Sequence, residues 1–143
     1  MNKTKQPYQG TKVTWLATQG HVTALLAKYG ITETRFTNYG GHAYVEFILP
    51  KEGWPVRISI PVNLHDSKDV NARWRALYWY MKSKFEATKL GLTDLKTEWL
   101  PFVAIGDRTV AEGLLPELER RGLKGEAFKA LLGRGANNAA TSK

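Results

Sequence analysis

The sequence contains no cysteine, which excludes disulfides, cysteine-ligated metal sites and thiol catalysis. No apolar run reaches the roughly 18–20 residues that a membrane-spanning helix needs. The polar residues 1–7 are not followed by the apolar stretch of a secretion signal. These absences lead us to expect a cytoplasmic protein without membrane contacts.

Signatures of catalysis and cofactor binding are also scarce. The histidines His21, His42 and His65 are far apart, and no metal-binding spacing places two of them on one helix. No serine stands in a G-x-S-x-G turn. Gly40-Gly41 is not followed by the Lys-Ser/Thr of a phosphate-binding loop. We therefore predict a protein that is not an enzyme and that has neither a metal site nor a cofactor.

What the sequence has in excess is positive charge. Its 143 residues carry a formal net charge of +8. Residues 1–35 and 67–89 each carry +4 and residues 120–143 carry +5, whereas residues 90–119 carry −4. Such asymmetry is typical of proteins that bind a polyanion or an acidic protein surface, with simple solubility as the alternative. Nucleic acid is the leading candidate partner on this ground.

Length and composition fit one domain over residues 1–143, with tails at 1–12 and 133–143. The fold class is predicted as α+β: an antiparallel sheet of three to four strands, a long amphipathic helix packed on it, and a short helical C-terminal segment. Periodicity predicts, in chain order, a helix over 14–29, strands over 35–38, 43–49 and 56–60, a long helix over 69–90, a short helix to 100–101, a fourth strand over 102–105, and helices over 109–121 and 126–132.

Local signals refine these elements. The Gly40-Gly41 pair supplies the positive φ angles of a tight hairpin turn. Ser67 and Thr93 are predicted as helix N-caps. Thr109 and Glu112 have the spacing of a capping box at the start of a further helix.

The strongest functional candidate is the long helix. Its apolar stripe leaves Trp79 on the opposite side, and Arg75, Lys82 and Lys89, seven residues apart, form a basic line beside that ring. Basic side chains beside an aromatic ring are what a single-stranded nucleic-acid site needs, since cations neutralise phosphates and rings stack on bases. The alternative is that Trp79 and Tyr80 pack beneath other helices and the lysines are merely solvated.

Two further groups of candidate residues accompany this line. Arg73 and Lys84 lie on the other flank of the same helix, near Tyr80. The polar face of the sheet offers a second surface, similar in general plan to sheet-based RNA readers. The alternative is that the first helix covers this face of the sheet. The residues of the second surface are Arg35, Tyr44 and Arg57.

Between residues 75 and 110 the chain carries a series of landmarks: Arg75-Ala76-Leu77, Lys82-Ser83-Lys84-Phe85-Glu86-Ala87, Gly91-Leu92-Thr93, Glu98-Trp99-Leu100-Pro101 and Gly106-Asp107-Arg108-Thr109-Val110. Together they resemble a family of small bacteriophage and prophage proteins. In that family R-A-L…K-x-K-L-E-A is followed by G-I-T, E-F-L and D-G-R-T-V. This chain has Phe85 and Trp99 in place of Leu and Phe, and Gly106-Asp107 in reversed order. The resemblance implies a phage origin and no particular activity. Such an origin would place the protein in the host cytoplasm.

The sequence thus predicts a phage-type accessory protein that binds nucleic acid with little sequence specificity. The alternative is a protein that binds an acidic surface of a host protein complex, such as the transcription machinery, and modulates that complex. Its contact surface would be an exposed aromatic with a basic rim.

Overall fold

A computed structural model describes residues 6–122. The predicted helix over 126–132 and the tail over 133–143 lie outside the described residues, as does the start of the N-terminal tail. The elements in chain order are α1 (Trp15–Lys28), β1 (Thr34–Tyr39), β2 (His42–Ile48), β3 (Pro55–Pro61), α2 (Ser67–Lys89), α3 (Leu95–Trp99), a 3-10 turn (Leu100–Phe102), β4 (Ala104–Ile105), β5 (Arg108–Thr109) and α4 (Val110–Gly122). The predicted α+β class is confirmed.

The first three strands form an antiparallel sheet in the order β1-β2-β3. Gly40 and Gly41, with φ of 59° and 75°, make the two-residue turn between β1 and β2 that the glycine pair predicts. One face of β2 is apolar, and its Val45, Phe47 and the following Leu49 are buried, as alternation along the strand predicts. The opposite face of the sheet is polar.

The apolar stripe of α2 covers the buried face of the sheet. Trp74 meets Phe36 of β1 edge-on at 5.8 Å between ring centroids, and Phe85 lies 6.4 Å from Phe47 of β2. Trp99, from α3, packs against both Phe47 and Phe85 at 5.1 Å. These aromatic contacts form the centre of the core and orient α2 along the sheet.

The first helix packs beside α2, and the two run in the same direction. Near their starts, the Trp15 N–H donates to Asn71 Oδ1 at 2.8 Å. Near their ends, the Tyr29 ring stacks on Phe85 at 4.5 Å. The alternative that this helix covers the polar face of the sheet is therefore wrong, because its apolar residues pack into the core on the same side as α2.

Two N-cap predictions are wrong by one residue. Asp66, not Ser67, caps α2, because its carboxylate reaches the N–H groups of both Lys68 and Asp69. Asp94, not Thr93, caps α3, where its carboxylate accepts the Thr97 N–H at 2.7 Å. That hydrogen bond is the main reason why the pKa of the Asp94 carboxyl lies below its ordinary value.

The predicted fourth strand does not join the main sheet. Ala104 and Ile105 pair instead with β5 in a two-stranded ribbon around Gly106, and only Val103 forms a single bridge to β3. The ribbon leads into α4, where Thr109 and Glu112 exchange the reciprocal hydrogen bonds of the predicted capping box. None of the helices within residues 6–122 combines the length and apolarity needed to cross a bilayer.

Candidate nucleic-acid interface

The ring of Trp79 lies on the outer surface of α2. Its position is about 200° around the helix from Leu77, which is buried against the sheet. Trp79 is 41% exposed, a large value for an indole. The alternative that another helix covers this ring is therefore wrong for the part of the chain that the structure describes.

Two cations flank the Trp79 ring along the helix. Lys82 Nζ is 4.8 Å from the ring centroid and the Arg75 guanidinium carbon is 5.5 Å from it. Arg75 is also 4.4 Å above the Tyr78 ring, and its Nη1 donates to His21 Nδ1 of α1 at 3.0 Å. Cation–π contacts of this kind hold long side chains in place, so the positive charges beside Trp79 are preorganised.

These cations belong to a longer line that begins at Lys68. Lys68, Arg75, Lys82 and Lys89 stand seven residues apart, so each lies about 10 Å further along α2 and about 20° further around it. The whole line is therefore about 32 Å long. Lys68 also lines a hollow that contains Lys12. One acidic side chain interrupts the line, since Glu86 Oε1 lies 3.7 Å from Lys82 Nζ.

The other flank of α2 uses its cations within the fold. Arg73 pairs with Asp69 at 3.4 Å. Lys84 donates to Glu98 of α3 at 2.8 Å, and its side chain is only 12% exposed. Its ammonium lies near the rings of Tyr80, Trp99 and Phe102 at 4.9, 5.5 and 5.2 Å. Lys84 is thus a link between α2 and α3 and has little surface to offer a partner.

The polar face of the sheet brings Arg35, Tyr44 and Arg57 together. Glu46 stands between the two arginines and accepts hydrogen bonds from Arg35, from Nε to Oε1 at 3.1 Å and from Nη2 to Oε2 at 3.0 Å. Arg57 approaches the same carboxylate more loosely, at 3.4 Å. Together with Thr37 and Tyr39, these residues line a hollow of about 420 Å³. Because Glu46 neutralises one arginine, this face carries less free charge than α2.

The α2 line and the polar sheet face cannot form one site. The residues of β2 alternate, so Val45 and Phe47 face α2 whereas Tyr44 and Glu46 face away from it. Trp79, on the outer side of α2, is therefore about 20 Å from the polar sheet face, the combined thickness of a helix and a sheet layer. The predicted site residues fall into separate groups.

Sequence reasoning missed two members of the α2 surface. Lys68 lies on the predicted line, and extending the seven-residue spacing by one step towards the N-terminus reveals it. His21 has no such signal, because its contact with Arg75 joins residues 54 positions apart. That contact depends on how α1 packs against α2.

No protein-family model, no curated protein and no solved structure matches the chain. What the α2 surface could bind is therefore indicated by its own residues alone. Within residues 6–122, no three side chains among His, Asp and Glu gather closely enough to hold a metal ion.

Proposed function

We propose that this chain is a non-enzymatic, phage-type accessory protein that binds single-stranded nucleic acid along α2 with little sequence specificity. Lys68, Arg75, Lys82 and Lys89 contact phosphates, and Trp79 stacks on a base halfway along the line. The observation that carries the proposal is the half-exposed Trp79 ring flanked by preorganised cations.

The chemistry of this surface suits a single strand better than a duplex. Unpaired bases can reach and stack on an aromatic ring, which contributes about 1–3 kcal/mol per base, whereas bases within a duplex are already stacked. A line of lysine and arginine side chains suits the repeating phosphates of a strand better than it suits base edges, so phosphate contacts should dominate the binding energy. Binding should therefore tolerate many sequences and weaken steeply with salt.

Fluorescence anisotropy with labelled single-stranded and double-stranded oligonucleotides at several salt concentrations tests this function. We expect the single strand to bind more tightly, and log Kd to change linearly with log salt concentration. The Arg75→Ala/Lys82→Ala/Lys89→Ala variant should lower the slope by about 2, since each lost phosphate contact on a single strand contributes about 0.7. Absence of binding to any oligonucleotide at low salt would refute the proposal.

Glu86→Gln provides a variant of the opposite sign. It removes the negative charge from the line and releases Lys82 from its ion pair. Affinity for the single strand should rise about two- to fivefold at low salt, and this gain should vanish at high salt. A loss of affinity in the Glu86→Gln variant would mean that the phosphates bind elsewhere on the protein.

A second candidate function is binding to an acidic surface of a host protein. The observation that favours it is that Arg75 and Lys82 already lie over the Trp79 ring, so a stacked base would have to displace one of them. Carboxylates of a partner could pair with these cations where they stand, with Trp79 as the anchor of the contact. Salt-sensitive binding to an acidic host protein, without binding to oligonucleotides, would favour this second function.

A further inference from the structure

The sheet has one open edge, at β1. This strand pairs with β2 on one side, and residues 6–122 supply no strand on its other side. The opposite edge is protected, because β3 begins at Pro55 and ends at Pro61, and Val56 bridges to Val103. Proline and such partial cover are common means of preventing an edge strand from pairing with another chain. The edge of β1 has neither.

The hydrogen bonds of β2 determine which backbone groups of β1 face that edge. The Leu49 N–H donates to the Trp54 C=O, and the Val62 N–H donates to the Gly41 C=O. Hydrogen-bonded positions alternate along an antiparallel strand, so odd-numbered residues of this strand bond towards β3 and even-numbered ones towards β1.

Three residues of β1 therefore point their backbone groups outward. The even-numbered residues of β2 have Arg35, Thr37 and Tyr39 as partners in β1. The N–H and C=O groups of the alternate residues face the open edge, which gives six hydrogen-bonding groups in a row. The outward-facing residues are Thr34, Phe36 and Asn38.

Along β1 itself, this edge carries no net charge. On one flank of α2, Tyr80 reaches β3 and Phe102, so α1, on the other flank, lies on the β1 side. Arg35, the one charged residue of β1, is neutralised by Glu46. Copies of a chain with a net charge of +8 repel each other, so a neutral side is where two can meet. The side of α1 facing away from α2 consists of uncharged and mostly small residues: Leu16, Ala17, Gly20, Thr23, Ala24 and Ala27.

We infer that β1 pairs antiparallel with β1 of a second copy, about a two-fold axis at Phe36. In this register Phe36 faces its counterpart, and Thr34 faces Asn38 of the second copy. All six outward groups of each strand are then hydrogen-bonded. Shifting the axis to residue 35 would set Arg35 against Arg35, and shifting it to residue 37 would leave Thr34 without a partner.

The paired strands join the two sheets into one of six strands. A two-fold axis perpendicular to the sheet places both α2 helices on the same side. The small side chains of α1 leave room for the two copies of that helix to approach closely above the joined strands. Both basic lines would then face the same way, so one strand of nucleic acid could engage both and gain avidity.

Cysteine cross-linking tests the register, because the native chain has no cysteine. The register makes Arg35 and Thr37 of the second copy a non-hydrogen-bonded pair, with Cα atoms about 4.5 Å apart. An equimolar mixture of Arg35→Cys and Thr37→Cys chains should form disulfide dimers at least about tenfold faster than either variant alone, since like residues lie too far apart to bridge. Ser59→Cys, exposed on β3, is the matched control and should cross-link slowly.

Light scattering over a range of concentrations supplies the second measurement. The mass should rise from 16.1 kDa towards twice that value as concentration increases. Thr34→Pro removes one outward N–H that takes no part in the pairing of β1 with β2. It should raise the midpoint concentration of dimerisation at least about fivefold, at an unchanged melting temperature. A mass that stays at 16.1 kDa at every concentration would overturn the inference. So would a dimer for which the mixed Arg35→Cys and Thr37→Cys chains cross-link no faster than either variant alone.

Discussion

At the scale of the residue, lysines on one helix have different roles according to the flank they occupy. Lys84 is held by Glu98 and three rings, whereas Lys89 is exposed at the end of the basic line. The helical period predicted both positions on α2. It could not reveal that Lys84 has an acidic partner, because Glu98 belongs to an element whose placement depends on the burial of Trp99.

The two lysines therefore predict opposite outcomes on substitution. Lys84→Met should destabilise the fold by about 1–3 kcal/mol, because it leaves Glu98 without its cation in a partly buried site. Its effect on nucleic-acid affinity should be less than about twofold. Lys89→Met should leave stability within about 0.5 kcal/mol and weaken binding severalfold at low salt.

Chemical denaturation and anisotropy measurements on both variants check this pair. A Lys84→Met chain of full stability would show that its ion pair contributes nothing. A Lys84→Met chain that folds normally but loses its affinity for nucleic acid would show that Lys84 belongs to the binding surface.

At the scale of the element, the sheet was the most predictable part. The glycine pair and the alternation around Val45 determine the hairpin and its buried face through local geometry alone. The short segment at residues 102–105 was harder to place, since a two-residue strand takes its partner from the nearest turn. The predicted N-caps of α2 and α3 were each one residue off, because adjacent capping residues compete for the same N–H groups.

The start of α2 offers a direct test of that competition. Asp66→Ala should destabilise the protein by about 1 kcal/mol, because it removes the acceptor of the Lys68 and Asp69 N–H groups. Ser67→Ala should change stability by less than about 0.3 kcal/mol, since Ser67 is already inside the helix. Thermal unfolding of both variants measures the difference. Equal losses would mean that Ser67 shares the cap.

At the scale of the whole molecule, the candidate residues belong to two faces separated by the core. The sequence predicted both groups, but only packing reveals that the core lies between them and that α1 leaves the polar sheet face open. The hydrophobic pattern of α1 predicts a buried side, and it does not specify which element covers that side.

This separation predicts that only one face matters for nucleic-acid binding. Arg35→Ala/Tyr44→Ala/Arg57→Ala should change the affinity for a single strand by less than about threefold, because Glu46 already neutralises one of the two arginines and this face lies away from the basic line. The α2 triple variant should lose at least about tenfold at low salt. Anisotropy titrations of the two variants in one buffer compare the faces, and the reverse ranking would transfer the site to the sheet.

The parallel packing of α1 on α2 has a consequence for the order in which the chain folds. The hydrogen bond between Trp15 and Asn71 joins residues 56 positions apart, with the whole hairpin sheet between them in sequence. Loops that long close slowly, whereas β1, β2 and β3 pair with immediate neighbours. On the ribosome α1 emerges before α2, and its apolar side finds its cover only after α2 has been synthesised. Although α1 is made before α2, it can therefore dock only once α2 has been made.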